Sequence, residues 1–183
     1  MAKKRETITL LSLRLRAARI RLVLTDNDGV LTDTGVYYGE NGEALKRFSI
    51  RDGMGVELLR QAGIETAIIT SETSPSVKQR ALKLQMPHLF VGVRDKRGHL
   101  PNILRETGLR LEHLAYIGDD VNDADIMKEI RSAGLTAAPK DAMPVAKRLA
   151  HYHCTAPGGH GAFRDFAEWI LNLRVRPSRI RKT

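Results

Sequence analysis

The sequence predicts an α/β protein with a doubly wound, mostly parallel sheet, and the alternation of its elements carries that expectation. Short apolar runs rich in β-branched residues alternate with helix-like stretches through the body of the chain. Runs of this kind read as buried strands joined by helical crossovers. One segment alone, residues 34–50, carries a hairpin turn signal instead.

The chain has 183 residues and a formal net charge of +9. Seven Lys/Arg against one acid lie in residues 1–21 and five against none in residues 172–183, so the stretch between is slightly acidic. The ends are therefore read as solvated basic segments, residues 1–20 and 174–183, flanking one domain over residues 21–173. Neither end interleaves aromatic residues, so no nucleic-acid partner is expected. No membrane partner is expected either, because no apolar run approaches the ~20 residues of a spanning helix. The stretch Ile8–Leu13 is broken by Arg14 and Arg16, which is too short for a signal-peptide core. An Arg-rich organelle presequence is the lesser alternative. The single Cys154 rules out an intrachain disulfide and points to a reducing compartment, the cytoplasm.

In chain order, Arg21–Thr25 is the first expected strand. The hairpin follows, with its turn at Glu40-Asn41-Gly42, and reads as a flap projecting beyond that strand. A helix over Met54–Ala62 has Asp52 placed to cap it and Gly63 to end it. Ile64–Thr70 is the second strand, and Pro75–Leu84 a helix with Ser74 before a proline at its first position. His88–Val91, a helix over Pro101–Thr107, His113–Gly118, a helix over Asp123–Arg131 and Gly134–Ala137 continue the alternation. His151 and His153 alternate as strand residues rather than ligands. Gly158, Gly159 and Gly161 suggest a mobile loop before a final helix in FRDFAEWILNL.

Ligands in open α/β sheets bind beyond the carboxyl ends of the strands. There the sequence sets Asp26-Asn27-Asp28-Gly29, Thr70-Ser71, Lys96, and Gly118-Asp119-Asp120-Val121-Asn122-Asp123. Crowded carboxylates repel one another unless something offsets them. A hard cation such as Mg²⁺ between Asp26 and Asp119 would do so, leaving a hydroxyl, backbone N–H groups and an ammonium for a phosphate. Asp26 and Asp28, two residues apart, can share one side of the crevice. One is then able to attack phosphorus while the other moves protons.

DNDGVLTD, IITS, the Lys96 after VGVRD, and GDDVND resemble the four motifs of the haloacid dehalogenase-like phosphatases, over roughly residues 20–170. DGVLTDTGVYY, FSIRDGMGVELL, RALKL and APGGHGAFRDF narrow the likeness to the small capless subgroup. That subgroup holds the 3-deoxy-D-manno-octulosonate 8-phosphate and nonulosonate 9-phosphate phosphatases, and phosphatase-like domains associated with acylneuraminate cytidylyltransferases. The resemblance implies a Rossmann-like core without a cap domain, Mg²⁺ dependence, an aspartyl-phosphate intermediate and a homotetramer whose subunits replace the cap. It implies Asp26 as nucleophile and metal ligand, and Asp28 as acid/base giving the metal its carbonyl. Thr70 and Lys96 would hold the phosphoryl group and Asp119 would ligate the metal, with Asp120 and Asp123 orienting neighbours. Ser49, Arg51, Asp52, Gly53, Ser71, Glu72 and Arg80 would contact substrate, Arg80 through the sugar-acid carboxylate. In the subgroup the glycine-rich tail reaches a neighbouring active site, which would bring His160 and Arg164 near substrate.

The expected activity is hydrolysis of a 2-keto-3-deoxy sugar-acid phosphate, with the octulosonate 8-phosphate favoured. One departure keeps the nonulosonate esters open: Thr70-Ser71-Glu72 stands where octulosonate phosphatases usually continue Thr-Gly-Arg or Thr-Gly-Lys. From other classes, a receiver-type phospho-acceptor module and an idle, phosphatase-like oligomerisation domain are the alternatives. The GDDVND loop and the second acid of the Asp26/Asp28 pair, placed to activate water, weigh against the first, and the complete set of motif residues weighs against the second.

Overall fold

The computed structural model describes residues 8–175. Strand β1 (Leu22–Thr25) turns Leu22 and Leu24 into one apolar layer and Val23 into the other, the period of two that an extended chain imposes. β4 (Glu65–Ile69) and β6 (Leu114–Ile117) divide their side chains the same way. With β5 (His88–Phe90), β7 (Leu135–Ala138) and β8 (Tyr152–His153) they form one sheet, in the order β5-β4-β1-β6-β7-β8. Every pairing in it is parallel. Helices α1 (Leu10–Arg19), α2 (Ile50–Gln61), α3 (Pro75–Lys83) and α7 (Ala162–Arg174) cover one face. Helices α4 (Lys96–Thr107), α5 (Ala124–Arg131) and α6 (Pro144–Leu149) cover the other. The predicted class holds, a doubly wound sheet with no cap domain. Between β1 and β4 lie only α2 and the hairpin of β2 (Val36–Gly39) with antiparallel β3 (Gly42–Lys46).

β1 lies where the winding reverses, with Thr25 paired to Ile68 on one side and Ile117 on the other. That switch point opens a crevice at the strand ends, and Asp26 is the next residue.

Several element readings are corrected. The solvated reading of residues 1–20 fails over Leu10–Ile20, where Thr9 caps α1 and Ala17 and Ile20 are fully buried. Leu13, Ala17 and Ile20 form an apolar stripe at helical spacing that the intervening arginines obscure. Arg16 further ties α1 to the body by donating to the carbonyls of Arg131 and Gly134, at 2.7 and 2.9 Å. The reading of the extreme ends, residues 1–7 and 176–183, lies outside the described residues. α2 begins four residues earlier than expected, with Ser49 rather than Asp52 accepting at its head. α4 begins at Lys96, because the Asp95 carboxylate accepts from Gly98 N at 2.8 Å, and Pro101 falls inside the helix. Among the described residues no helix is long and apolar enough to cross a membrane.

The glycine loop is not a free segment. Gly158 and Gly159 are buried, and a Cβ on Gly158 would sit 2.0 Å from the Gly29 carbonyl. Gly159 N donates to Val30 O at 2.9 Å and Gly158 N to Asp141. The glycines serve close backbone approach to the β1 loop, which corrects the mobile-loop reading. His160 meets Arg47 at 2.9 Å and Arg164 pairs with Glu168.

Candidate active site

Three strand ends, those of β1, β4 and β6, supply one cleft of about 290 Å³, lined by Asp26, Asp28, Thr34, Thr70, Ser71, Glu72, Asp119, Asp120, Val121 and Asn122. Asp26 follows β1 with its amide bound to Ile117 O, so the hydrogen-bonded ladder itself aims the residue. Its Oδ1 accepts from Asn27 N at 2.7 Å and from Lys96 Nζ at 2.8 Å. Among the described residues Oδ2 makes no hydrogen bond. The β1 loop then folds back, the Asn27 carbonyl accepting from Leu31 N and Thr32 N. Gly29, at φ +87, comes so close to Asp119 that a Cβ there would overlap the carboxylate.

Asp28 holds the outer side of the cleft. Its Oδ1 accepts from Asn27 Nδ2 at 3.1 Å and Thr32 Oγ1 at 3.2 Å, and both its oxygens lie 2.9 Å from Lys46 Nζ. Desolvation opposes the Lys46 charge, but Asp28 and Glu43 hold its pKa above the usual ammonium value. Thr70 follows β4, is 2% exposed, and its Oγ1 accepts from Glu72 N at 3.1 Å. That bond leaves the hydroxyl proton available to the cleft.

Lys96, the first residue of α4, is buried and joins two acids: Asp26 at 2.8 Å and Asp123 at 2.7 Å. Asp123 is itself saturated, accepting also from Tyr116 Oη and from the amides of Asp119 and Asp120. It braces the lysine and the Asp119 loop rather than offering a free oxygen. The opposite holds for Asp119, whose Oδ1 is buried without a partner. Burial, then Asp26, Asp123 and Asp120, push its pKa up to about 8. Asp26 is raised to about 7, chiefly by burial and then by Asp123, with Lys96 pulling it down.

Ligand atoms of Asp26, Asp119 and Asp123 lie within 4.8 Å of one another. With Asp123 saturated, Asp26 and Asp119 remain. Two carboxylates, completed by waters and a substrate phosphate, are what Mg²⁺ takes in phosphoryl-transfer sites. The donor set fits the ion, and the orphaned Asp119 oxygen is the observation that asks for it.

Asp26, Asp28, Thr70, Ser71, Glu72 and Asp119 thus meet at the predicted cleft, with Lys96 beneath. Ser49, Arg51, Asp52, Gly53 and Arg80, read as substrate contacts, do not line this cleft within the chain. Asp52 is fully buried and caps α7, accepting from Gly161 N at 3.2 Å and Arg164 N at 3.0 Å. Ser49 caps α2, and Gly53 admits the Arg80 guanidinium alongside the helix. Arg80 donates to Ser49 O at 2.6 Å, lies 5.4 Å from the Phe48 ring centroid, and lines a separate groove with Ile50 and Met54. Arg51 is exposed and outside the cleft lining. Two residues at the cleft went unseen in the sequence, Thr34 and Lys46. Thr34 holds φ 65, costly for a β-branched residue, and a lone threonine gives no sign of that. Lys46 reads as one more solvated lysine until the hairpin closes over Asp28.

No protein-family model matches the chain. The 3-deoxy-D-manno-octulosonate 8-phosphate phosphatase KdsC of Yersinia pestis is 40% identical over 156 residues, 85% of this chain and 82% of the relative. A Moraxella catarrhalis 3-deoxy-D-manno-octulosonate 8-phosphate phosphatase, solved with a magnesium ion, a phosphate ion and KDO, superposes with TM-score 0.84 at 34% identity. It covers 91% of this chain and 94% of its own. The cobalt-bound phosphatase from Haemophilus influenzae gives TM-score 0.82 at 34% identity, covering 87% and 91%.

Proposed function

This chain belongs to the family of 3-deoxy-D-manno-octulosonate 8-phosphate phosphatases, and on that premise we propose that it hydrolyses this ester with Mg²⁺ as cofactor. It is a phosphoric monoester hydrolase of the haloacid dehalogenase-like class. The comparisons favour the octulosonate ester over the nonulosonate 9-phosphates that Glu72 kept open. The observation that carries the reading is the unpartnered Asp119 oxygen facing Asp26 at the switch point of the sheet.

Asp26 attacks phosphorus with a carboxylate oxygen. The phosphorus–oxygen bond to the sugar breaks, and Asp28 gives its proton to the leaving alkoxide. Asp28 then takes a proton from water as that water attacks the acyl phosphate, releasing phosphate and restoring Asp26. Lys96 and the Thr70 hydroxyl bind the phosphoryl oxygens as charge redistributes. Asp26, Asp119 and the Asp28 carbonyl would hold Mg²⁺, whose charge offsets the crowded carboxylates and the phosphate.

Phosphate release from a panel of sugar-acid phosphates tests the reading. Turnover should require Mg²⁺ and stop with EDTA, and the octulosonate ester should lead the nonulosonate esters by about 10-fold or more in kcat/KM. Equal rates across the panel would remove the substrate assignment, and no Mg²⁺-dependent release would remove the activity.

The homotetramer and the cytoplasm complete the proposal. Support for the first lies in Tyr38, Leu45 and Ile50, which are 76%, 65% and 87% exposed on and beside a two-stranded flap. Such hairpins are marginal alone, and apolar patches of this kind mark interaction sites. Sedimentation should report a tetramer, and Leu45→Asp should dissociate it with loss of sugar-phosphate turnover. A fully active monomer would contradict this. Support for the second is the buried thiol of Cys154, as a reducing compartment keeps it.

A further inference from the structure

We propose that Lys46 is a positioning residue for the proton transfer made by Asp28, so that the flap's place over the cleft sets the aim of the acid/base. The proposal rests on the phosphatase reading above.

Lys46 is half-buried as a residue of β3, but its side chain is only 2% exposed. Withdrawing an ammonium from water costs several kcal/mol unless it is paired. Its partners are not those of a passing surface lysine. Nζ stands 2.9 Å from Oδ1 and 2.9 Å from Oδ2 of Asp28, and 3.5 Å from Glu43 Oε2. Glu43 is fixed in turn by the hydroxyl of Ser74, at the head of α3. Asn27 and Thr32 both bond Asp28 at Oδ1, so among the described residues Lys46 is the donor that reaches Oδ2. Local bonds from the β1 loop cannot alone fix how that carboxyl is turned. The flap lysine, anchored through Glu43 to the next crossover, does.

Lys46 neither gives nor takes the transferred proton. While Asp28 is protonated, one of its oxygens carries the proton toward the leaving alkoxide and the other accepts from Nζ. As the phosphorus–oxygen bond breaks and the proton passes, Nζ remains hydrogen-bonded to the resulting carboxylate. A catalytic group held in its productive rotamer transfers a proton without first having to find it. Removing the lysine therefore matters in proportion to how much the leaving group needs the proton.

Lys46→Met keeps the stem and removes the donor. The probes are carboxylate-free esters differing in leaving-group acidity: β-glycerophosphate, phenyl phosphate and p-nitrophenyl phosphate, each with Mg²⁺. Because kcat/KM reports steps through phosphoryl transfer, it isolates the acid role from later hydrolysis of the acyl phosphate. We expect a loss of about 100-fold or more for glycerophosphate and under about 5-fold for p-nitrophenyl phosphate. In an Asp28→Asn background the same change should add under about 3-fold on every ester, because the two residues act as a unit. Equal losses across the esters would overturn the proposal, as would an undiminished Lys46 effect in the Asp28→Asn background. Should Lys46→Met not fold, Lys46→Gln against Lys46→Arg gives the same comparison, with the steeper leaving-group dependence expected for glutamine and equal dependence overturning the idea. A wild-type chain inactive on all three esters and on the sugar phosphate would defeat the phosphatase reading first, and this proposal with it.

Discussion

Asp26→Asn is expected to lower kcat by about 10⁴-fold or more while leaving the fold intact. A carboxamide matches the carboxylate in shape, and its oxygen can still accept from Asn27 N and Lys96 Nζ, the two donors that fix Oδ1. What it lacks is the anionic oxygen that attacks phosphorus. Stability should change by only about 1 kcal/mol, because two effects oppose. Lys96 loses one of its two acids but keeps Asp123. Asp119 and Asp123 lose a neighbouring charge that helps to raise the Asp119 pKa. Phosphate release and thermal melting, measured on the same preparation, check both halves. Turnover within about 100-fold of the parent would remove Asp26 from the nucleophile role, and a large drop in melting temperature would mean the carboxylate was a structural charge instead.

The position of the cleft was legible from sequence because topology places it. Strand ends in a parallel sheet share an edge, so Asp26, Thr70 and Asp119 follow from finding β1, β4 and β6. What local pattern could not show is where side chains from distant segments are spent. Asp52 reads as a cap for its own helix, yet its carboxylate serves the head of α7, more than a hundred residues away. Arg80 reads as an arginine available to the sugar-acid carboxylate, but the backbone ahead of α2 offers it the Ser49 carbonyl. The glycines at 158–161 read as mobility, although they let the chain pass against Gly29 and Asp33. In each case composition alone fits both readings, and the tertiary neighbour decides. The starts of α2 and α4 moved for a simpler reason. Ser49 and Asp95 are better-placed caps than the residues favoured by apolar periodicity, and a cap outweighs the pattern that follows it.

The buried charges beneath the cleft make the last prediction the most severe. Lys96 is 2% exposed and lies between Asp26 and Asp123, which also takes the Tyr116 hydroxyl. Lys96→Ala removes the cation that pairs with Asp26 and Asp123 and leaves these acids facing one another in a low dielectric. Breaking a buried pair by deleting one partner costs about 3–5 kcal/mol. In a domain of this size that corresponds to a fall in melting temperature of roughly 6–20 °C. The loss should depend on pH with a definite sign in metal-free buffer. Asp26 already has a pKa raised by burial and by Asp123, with Lys96 as the main influence lowering it, so the substitution raises it further. A carboxylate whose folded pKa lies above its unfolded value penalises the fold once pH passes the unfolded value, until the folded pKa is reached. Acidifying from pH 7 toward pH 5 therefore protonates Asp26 in the folded chain and returns part of the lost stability. Melting curves of Lys96→Ala and the parent with EDTA, at those two pH values, should show the gap narrowing on acidification. A gap that stays constant, or that widens, would mean Lys96 is held by packing and not by the charges it separates.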